Sequence, residues 1–209
     1  MIDISSITIN KHSSIRIASD RIIYIDPFKI DAAYADAEVV FITHDHYDHF
    51  SPEDIAKVCN SRTVFVAPAT CAASLKKAGI TNAVLMNPED VETICGLKVT
   101  AVPAYNRFKP FHMKASRWLG YVIEVENTEI YVCGDTDDTP DARKVKCDIL
   151  LVPVGGTYTM SAKEAAAFAN ALNPQVAIPT HYGDVVGKHE DAETFASLAD
   201  CKVEIRMDK

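Results

Sequence analysis

No apolar run in this 209-residue chain approaches the ~20 residues that cross a bilayer, so no membrane span is expected. Basic residues are in deficit: 21 Lys and Arg stand against 29 Asp and Glu, a net charge of −8. That balance does not suit the phosphate backbone of nucleic acid, which calls for a basic face, so no nucleic-acid partner is expected. A small anionic substrate stays open, because a local basic patch is enough to meet one. The 6 cysteines are scattered (Cys59, Cys71, Cys95, Cys133, Cys147, Cys201) and include no C-x-x-C pair. They read as small core residues in a reducing compartment, which places the chain in the cytoplasm. The segment from Met1 to Ser5 lacks the basic-then-apolar order of a secretory signal. Repeats, low-complexity tracts and linkers are missing too, so one domain over residues 1–209 is expected.

What is present is concentrated in one place. Of 7 histidines, three fall in Thr43-His44-Asp45-His46-Tyr47-Asp48-His49, directly after the apolar run Val39 to Ile42. That run is β-branched and aromatic and reads as a buried strand. Its end can present several side chains to one point. Imidazole with carboxylate is the donor set of zinc, iron or manganese, so a metal site is the reading.

The rest of the chain alternates strands and short helices. Strands are expected over Ile2–Ile9, Ile15–Ile17, Ile22–Ile25, Thr63–Val66 and Ala83–Met86, with two more between Val91 and Val102. Leu119–Val125 and Glu129–Cys133 form a hairpin. Asp148–Val154, Val176–Pro179 and Cys201–Met207 complete the strands. Helices are expected after Ser51, an N-cap followed by Pro52 and two acids, over Thr70–Ala78, and from Thr139-Pro140. The capping box Ser161 to Glu164 opens another, and His189, read as solvated, opens the last. Asp26, before Pro27, reads either as a support for an imidazole or as a turn cap. His12 sits in a turn, at the rim of the site or simply in a loop.

The pattern H-x-H-x-D-H, complete at His44, His46, Asp48 and His49, resembles the signature of the metallo-β-lactamase superfamily of binuclear hydrolases. The resemblance implies a four-layer αββα sandwich of the α/β (α+β) class. It also implies a hydrolase of a small ester, lactone or phosphoester, with a metal-dependent nuclease or phosphodiesterase, or a non-catalytic metal-binding protein, as the alternatives. Gly134-Asp135 after a strand resembles the bridging aspartate, with Asp137 as fallback, and Thr180-His181 resembles the last ligand. The superfamily histidine that follows the strand ending near Pro103 is absent: Asn106 stands there, and the next histidine is His112. Either His112 reaches back as the ligand or Asn106 lines the site; imidazole is the better donor. The implied ligands are His44, His46, His112 and Asp135 for one metal, and Asp48, His49, Asp135 and His181 for the other. Zinc is the first choice of metal, with manganese or iron as alternatives. Asp48 and Asp135 carry the implied catalytic roles. Tyr158, His12 and Tyr182 are candidate acids. Pro-Ala-Tyr-Asn with the later Phe-His and Trp118-x-Gly120-Tyr121 resembles a branch of small prokaryotic hydrolases. That branch is akin to the ascorbate-6-phosphate lactonases and the N-acyl phosphatidylethanolamine phospholipase D group. Arg107, Lys109, Lys114 and Arg117 suggest an anion site beside an apolar wall of Tyr105, Phe108, Phe111 and Trp118. Assembly as a homo-oligomer is left open.

Overall fold

The computed structural model describes residues 2–207. Two sheets face each other. The first comprises β1 (Ile7–Lys11), β2 (Ser14–Ala18), β3 (Ile22–Ile25), β4 (Val39–Phe41), β5 (Val64–Pro68) and β6 (Ala83–Met86), in that order across the sheet. The second holds β7 (Val91–Ile94), β8 (Leu97–Pro103), β9 (Leu119–Val125), β10 (Thr128–Val132), β11 (Ile149–Pro153), β12 (Val176–Thr180) and β13 (Lys202–Val203), again in sequence order. Each sheet opens as an antiparallel meander and turns parallel, from β3 to β6 and from β10 to β13.

The two-residue period of the strands explains the layering. Ile23, Ile25, Val39 and Phe41 point into the core between the sheets. Their neighbours Tyr24, Val40 and Ile42 point the other way, onto Ile55 and Val58 of α1 (Pro52–Val58) and Leu75 of α2 (Ala72–Lys77). On the second sheet α3 (Ala162–Leu172) packs on β11 and α4 (His189–Leu198) on β12. This is the αββα sandwich. No helix among the described residues is long and apolar enough to cross a membrane.

Four elements depart from the sequence reading. The first strand begins at Ile7, because Asp3 caps a 3₁₀ turn over Ile4–Ser6 and its side chain accepts the Ser5 amide at 2.9 Å. The expected helix over Thr70–Ala78 divides into a 3₁₀ turn, Ala69–Cys71, and α2. From Thr139 only the 3₁₀ turn Ala142–Lys144 forms, since the chain is extended again at Val145 to reach β11. The last strand contracts to Lys202–Val203, where pairing with β12 ends.

The loop after β3 is tied to α1 through Asp54. Its carboxylate accepts the amides of Lys29 at 2.9 Å and Ile30 at 3.0 Å, the Ser51 hydroxyl at 2.8 Å and the Lys57 ammonium at 2.9 Å. Burial works against its charge, but these donors prevail and hold its pKa below the ordinary value. Replacing Asp54 by Ala should therefore cost about 2–3 kcal/mol in urea unfolding, the scale for orphaning buried donors of a charged acceptor. The linkage has a definite sign. A folded-state pKa below the unfolded one gives stability that is present above about pH 4 and lost as pH falls through the folded value. The gap between wild type and Asp54→Ala should shrink as pH falls below 4, and an unchanged gap there would remove Asp54 as the tie.

Candidate metal centre

Every residue singled out as a ligand lies at one end of the sandwich, beyond the carboxyl ends of the strands. His44, His46, Asp48 and His49 follow β4, Asp135 follows β10 and His181 follows β12. The seam between the sheets is fixed there by two bonds. The Tyr121 hydroxyl donates to the Ile42 carbonyl at 2.7 Å, and the Leu119 amide donates to the Thr43 carbonyl at 3.1 Å. One glycine permits this approach, and a second lets the ends of β11 and β12 close on each other. A Cβ on Gly134, whose φ is +63°, would press on the Thr43 side chain at 3.2 Å, and one on Gly155 would run into the His181 carbonyl oxygen.

Asp26 sits behind the cluster, 1% exposed. Its Oδ1 accepts the Thr43 amide at 2.8 Å. Its Oδ2 accepts the Thr43 hydroxyl at 2.6 Å and lies 2.7 Å from His49 Nδ1. It orients that imidazole so that Nε2 faces inward. The turn-cap reading of Asp26 is thereby replaced.

Three groups of ligand-type atoms each converge within 4.8 Å: His44, His46 and His112; His44, His49 and Asp135; and His12, Asp48, His49 and His181. Asp135 stands between them. Its Oδ2 is 3.2 Å from His112 Nε2 and 3.1 Å from His181 Nε2, and its Oδ1 is 3.3 Å from His49 Nε2. Of the seven expected ligands only His46 is exposed, so solvent reaches the cluster on its side. The ring of Trp118, the chain's single tryptophan, lies 4.7 Å from those of both His44 and His46 and 5.4 Å from that of His112.

His112 lies within the cluster, and Asn106 lies beside it with Nδ2 turned to backbone carbonyls and its buried Oδ1 without a partner among the described residues. The Asn106 amide donates to the His112 carbonyl at 2.7 Å, and its side-chain Nδ2 donates to the carbonyls of Phe111 at 2.9 Å and Tyr158 at 2.7 Å. Asn106 thus ties the loop that carries His112. Asp137, the fallback for Asp135, also serves that loop: it accepts the Arg107 amide at 3.0 Å and pairs with Lys109.

The four basic residues of the loop are engaged within the chain. Lys109 pairs with Asp137, Lys114 with Asp141 at 2.8 Å, Arg117 donates to Asn87 at 3.0 Å, and the Arg107 guanidinium lies 5.0 Å over the Phe108 ring. Asp137 and Asp141 come from the segment after β10 and Asn87 from the turn between β6 and β7, which the loop's own sequence does not reveal.

His12, read as a rim or loop histidine and as a candidate acid, lies inside the cluster. It is 0% exposed, its Nε2 lies 3.2 Å from Asp48 Oδ2, and its ring centroid is 3.9 Å from that of His181. A lone histidine in a turn carries no local signal of this. The His181 amide, which donates to the His12 carbonyl at 3.0 Å, brings the turn there.

The electrostatics favour a cation. Burial, with help from neighbouring imidazoles, holds His44 and His112 below their ordinary pKa and brings His12 down to about 4, so these rings keep a free lone pair. For His49 burial opposes the charge, but the carboxylates of Asp135 and Asp26 outweigh it and push it up to about 9. Burial likewise opposes ionisation of Asp48, and the His12 contact overrides it, bringing Asp48 down to about 2. Nε2 of His12, His49, His112 and His181 and Oδ1 of Asp135 are buried and find no hydrogen-bond partner among the described residues. Buried polar atoms are rarely left so, and the donor set is one that divalent transition metals take.

Such a sandwich, with such a cluster at the strand ends, defines the class of metal-dependent hydrolases of the metallo-β-lactamase superfamily. The chain belongs to the beta-lactamase superfamily domain family, whose model matches residues 6–181. It is 32% identical over 209 residues to a UPF0173 metal-dependent hydrolase of Thermococcus onnurineus, covering 93% of this chain and 92% of that one. A UPF0173 metal-dependent hydrolase of Methanosphaera stadtmanae is 34% identical over 206 residues, covering 88% and 87%. A crystal structure of a candidate metal-dependent hydrolase from Parabacteroides distasonis superposes with a TM-score of 0.82 at 32% identity, covering 96% and 91%. Igni18, a metallo hydrolase of Ignicoccus hospitalis, shares the fold with a TM-score of 0.78 at 21% identity, covering 95% and 93%.

Proposed function

We propose that this chain is a binuclear hydrolase of a small ester, lactone or phosphoester. The observation that carries the reading is Asp135, whose two oxygens face His49, His112 and His181 from between the histidine groups. A carboxylate placed so can serve two cations at once. His44, His46, His112 and Asp135 would hold the first ion; Asp48, His49, Asp135 and His181 the second. Zinc is the first choice, then manganese or iron. Such ions supply a water of lowered pKa, from ~15.7 toward ~7, and charge to meet a developing oxyanion.

The protein's own part is positioning. Asp26 and Thr43 fix the His49 ring. Trp118 walls the rings of His44 and His46. The loop that carries His112 exposes Phe108, Phe111 and Met113, an apolar surface for the part of a substrate that does not react. Lys109 and Lys114 are neutralised by Asp137 and Asp141, whereas Arg107 and Arg117 meet only a ring and a neutral amide and keep charge for an anionic group, so an ester, a lactone and a phosphoester all fit this loop. The free state of all six cysteines supports work in a reducing compartment, the cytoplasm.

The test is hydrolysis of a panel of aryl esters, lactones and phosphodiesters by chelator-treated protein, before and after addition of zinc or manganese. Turnover of an ester, lactone or phosphodiester should appear only with metal. Failure across the whole panel by metal-loaded protein, or activity that chelation leaves intact, would remove the reading.

A further inference from the structure

The superfamily pattern gives His12 no part, yet it is built into the cluster as fully as the expected ligands are. Its Nε2 lies 3.2 Å from Asp48 Oδ2; His49 Nε2 lies 3.7 Å and His181 Nε2 3.9 Å from the same oxygen. The last two separations are too long for hydrogen bonds. They do match the spacing of atoms that share a metal: bonds of ~2.0–2.2 Å arranged tetrahedrally set neighbouring ligand atoms roughly 3.4 Å apart. All four ligand atoms lie within 4.8 Å of one another.

His12 also shares the signature of His181. Both rings are buried, and both nitrogens of each find no hydrogen-bond partner among the described residues. The backbone holds the pair together. His12 and His181 have φ of +55° and +58°, a left-handed conformation uncommon outside glycine, and the His181 amide donates to the His12 carbonyl. Strain of this kind persists where the surroundings over-determine it, as at ligand sites.

We propose that His12 is a ligand of the second metal, joining Asp48, His49, His181 and the bridging Asp135 in a set of five protein donors. The inference rests on the two-metal reading and deepens it. A site filled by protein donors to that extent is closed, whereas a catalytic site keeps a position open. Substrate would then be met on the side of His44, His46 and His112, where His46 is exposed.

The test uses the full chain loaded with ¹¹³Cd and correlation of histidine ring protons with the cadmium resonances. The His12 ring is assigned by its loss in His12→Asn and, should that variant not fold, by its through-space contact with Phe28, whose ring centroid is 6.4 Å away. The expected spectrum has two cadmium signals, one of them coupled to His12, His49 and His181 together. His12→Asn should weaken one of the two zinc equivalents by at least ~10-fold, the scale set even by orienting partners. Two cadmium signals with coupling to His49 and His181 and none to His12 would overturn the inference and leave the two-metal reading standing. Uptake of a single cadmium would bring down the two-metal reading; coupling of His12 to that ion would still uphold its role as a ligand, and lack of coupling would end it.

Discussion

Replacing Asp135 by Asn should reduce kcat/KM at least ~10³-fold, the upper end of what one transition-state-stabilising group contributes. Metal content after dialysis should fall with it. The carboxylate faces His49, His112 and His181 at 3.1–3.3 Å, so its loss acts on both ions rather than one. The amide keeps the shape, but only one of its two heavy atoms can accept or ligate. The metal-free variant should also lose stability, because, against the opposing effect of burial, the neighbouring imidazoles hold the Asp135 carboxylate well below its usual pKa and its loss leaves them uncompensated, so activity is compared on folded protein. The matched control is Asp137→Asn. Asp137 holds the 107–109 segment, so its variant should keep both metals and lose far less activity. If Asp137→Asn proved the worse of the two, the bridging assignment would move to it.

The second large effect separates His112 from Asn106. His112→Ala should weaken the first ion ~100-fold or more, since a donor is deleted. Asn106→Ala should weaken it ~10-fold, by untying the loop from the carbonyls of Phe111 and Tyr158. Trp118 offers the readout, because the only indole of the chain packs on the rings of His44, His46 and His112. Cobalt titrations followed by Trp118 fluorescence should show the midpoint moving much further for His112→Ala. The opposite ranking would give the ligand role to Asn106.

The parts of this site that could be read in advance are those where a local run states its own purpose. Val39 to Ile42 followed by three histidines and two aspartates is such a run, whereas Asp135 and His181 stand out by their resemblance to the superfamily's motifs. His12 could not be read, because its place depends on the β1–β2 turn meeting the end of β12 across the whole chain. The basic loop shows the same limit from the other side. Lys109, Lys114 and Arg117 look like a free patch until Asp137, Asp141 and Asn87 arrive from elsewhere in the fold. Asp26 was undecided for a related reason: only the pairing of β3 with β4 shows that Thr43 and His49 lie against it. The helix expected from Thr139 fails on length, since Val145 must already be extended to enter β11.

Equilibrium metal binding to the chelator-treated full chain, counted by native mass spectrometry, tests the central claim most directly. The account predicts saturation at two zinc or manganese ions per chain, falling to one in His112→Ala and again to one in His181→Ala. Saturation at one ion with full hydrolytic activity would contradict it.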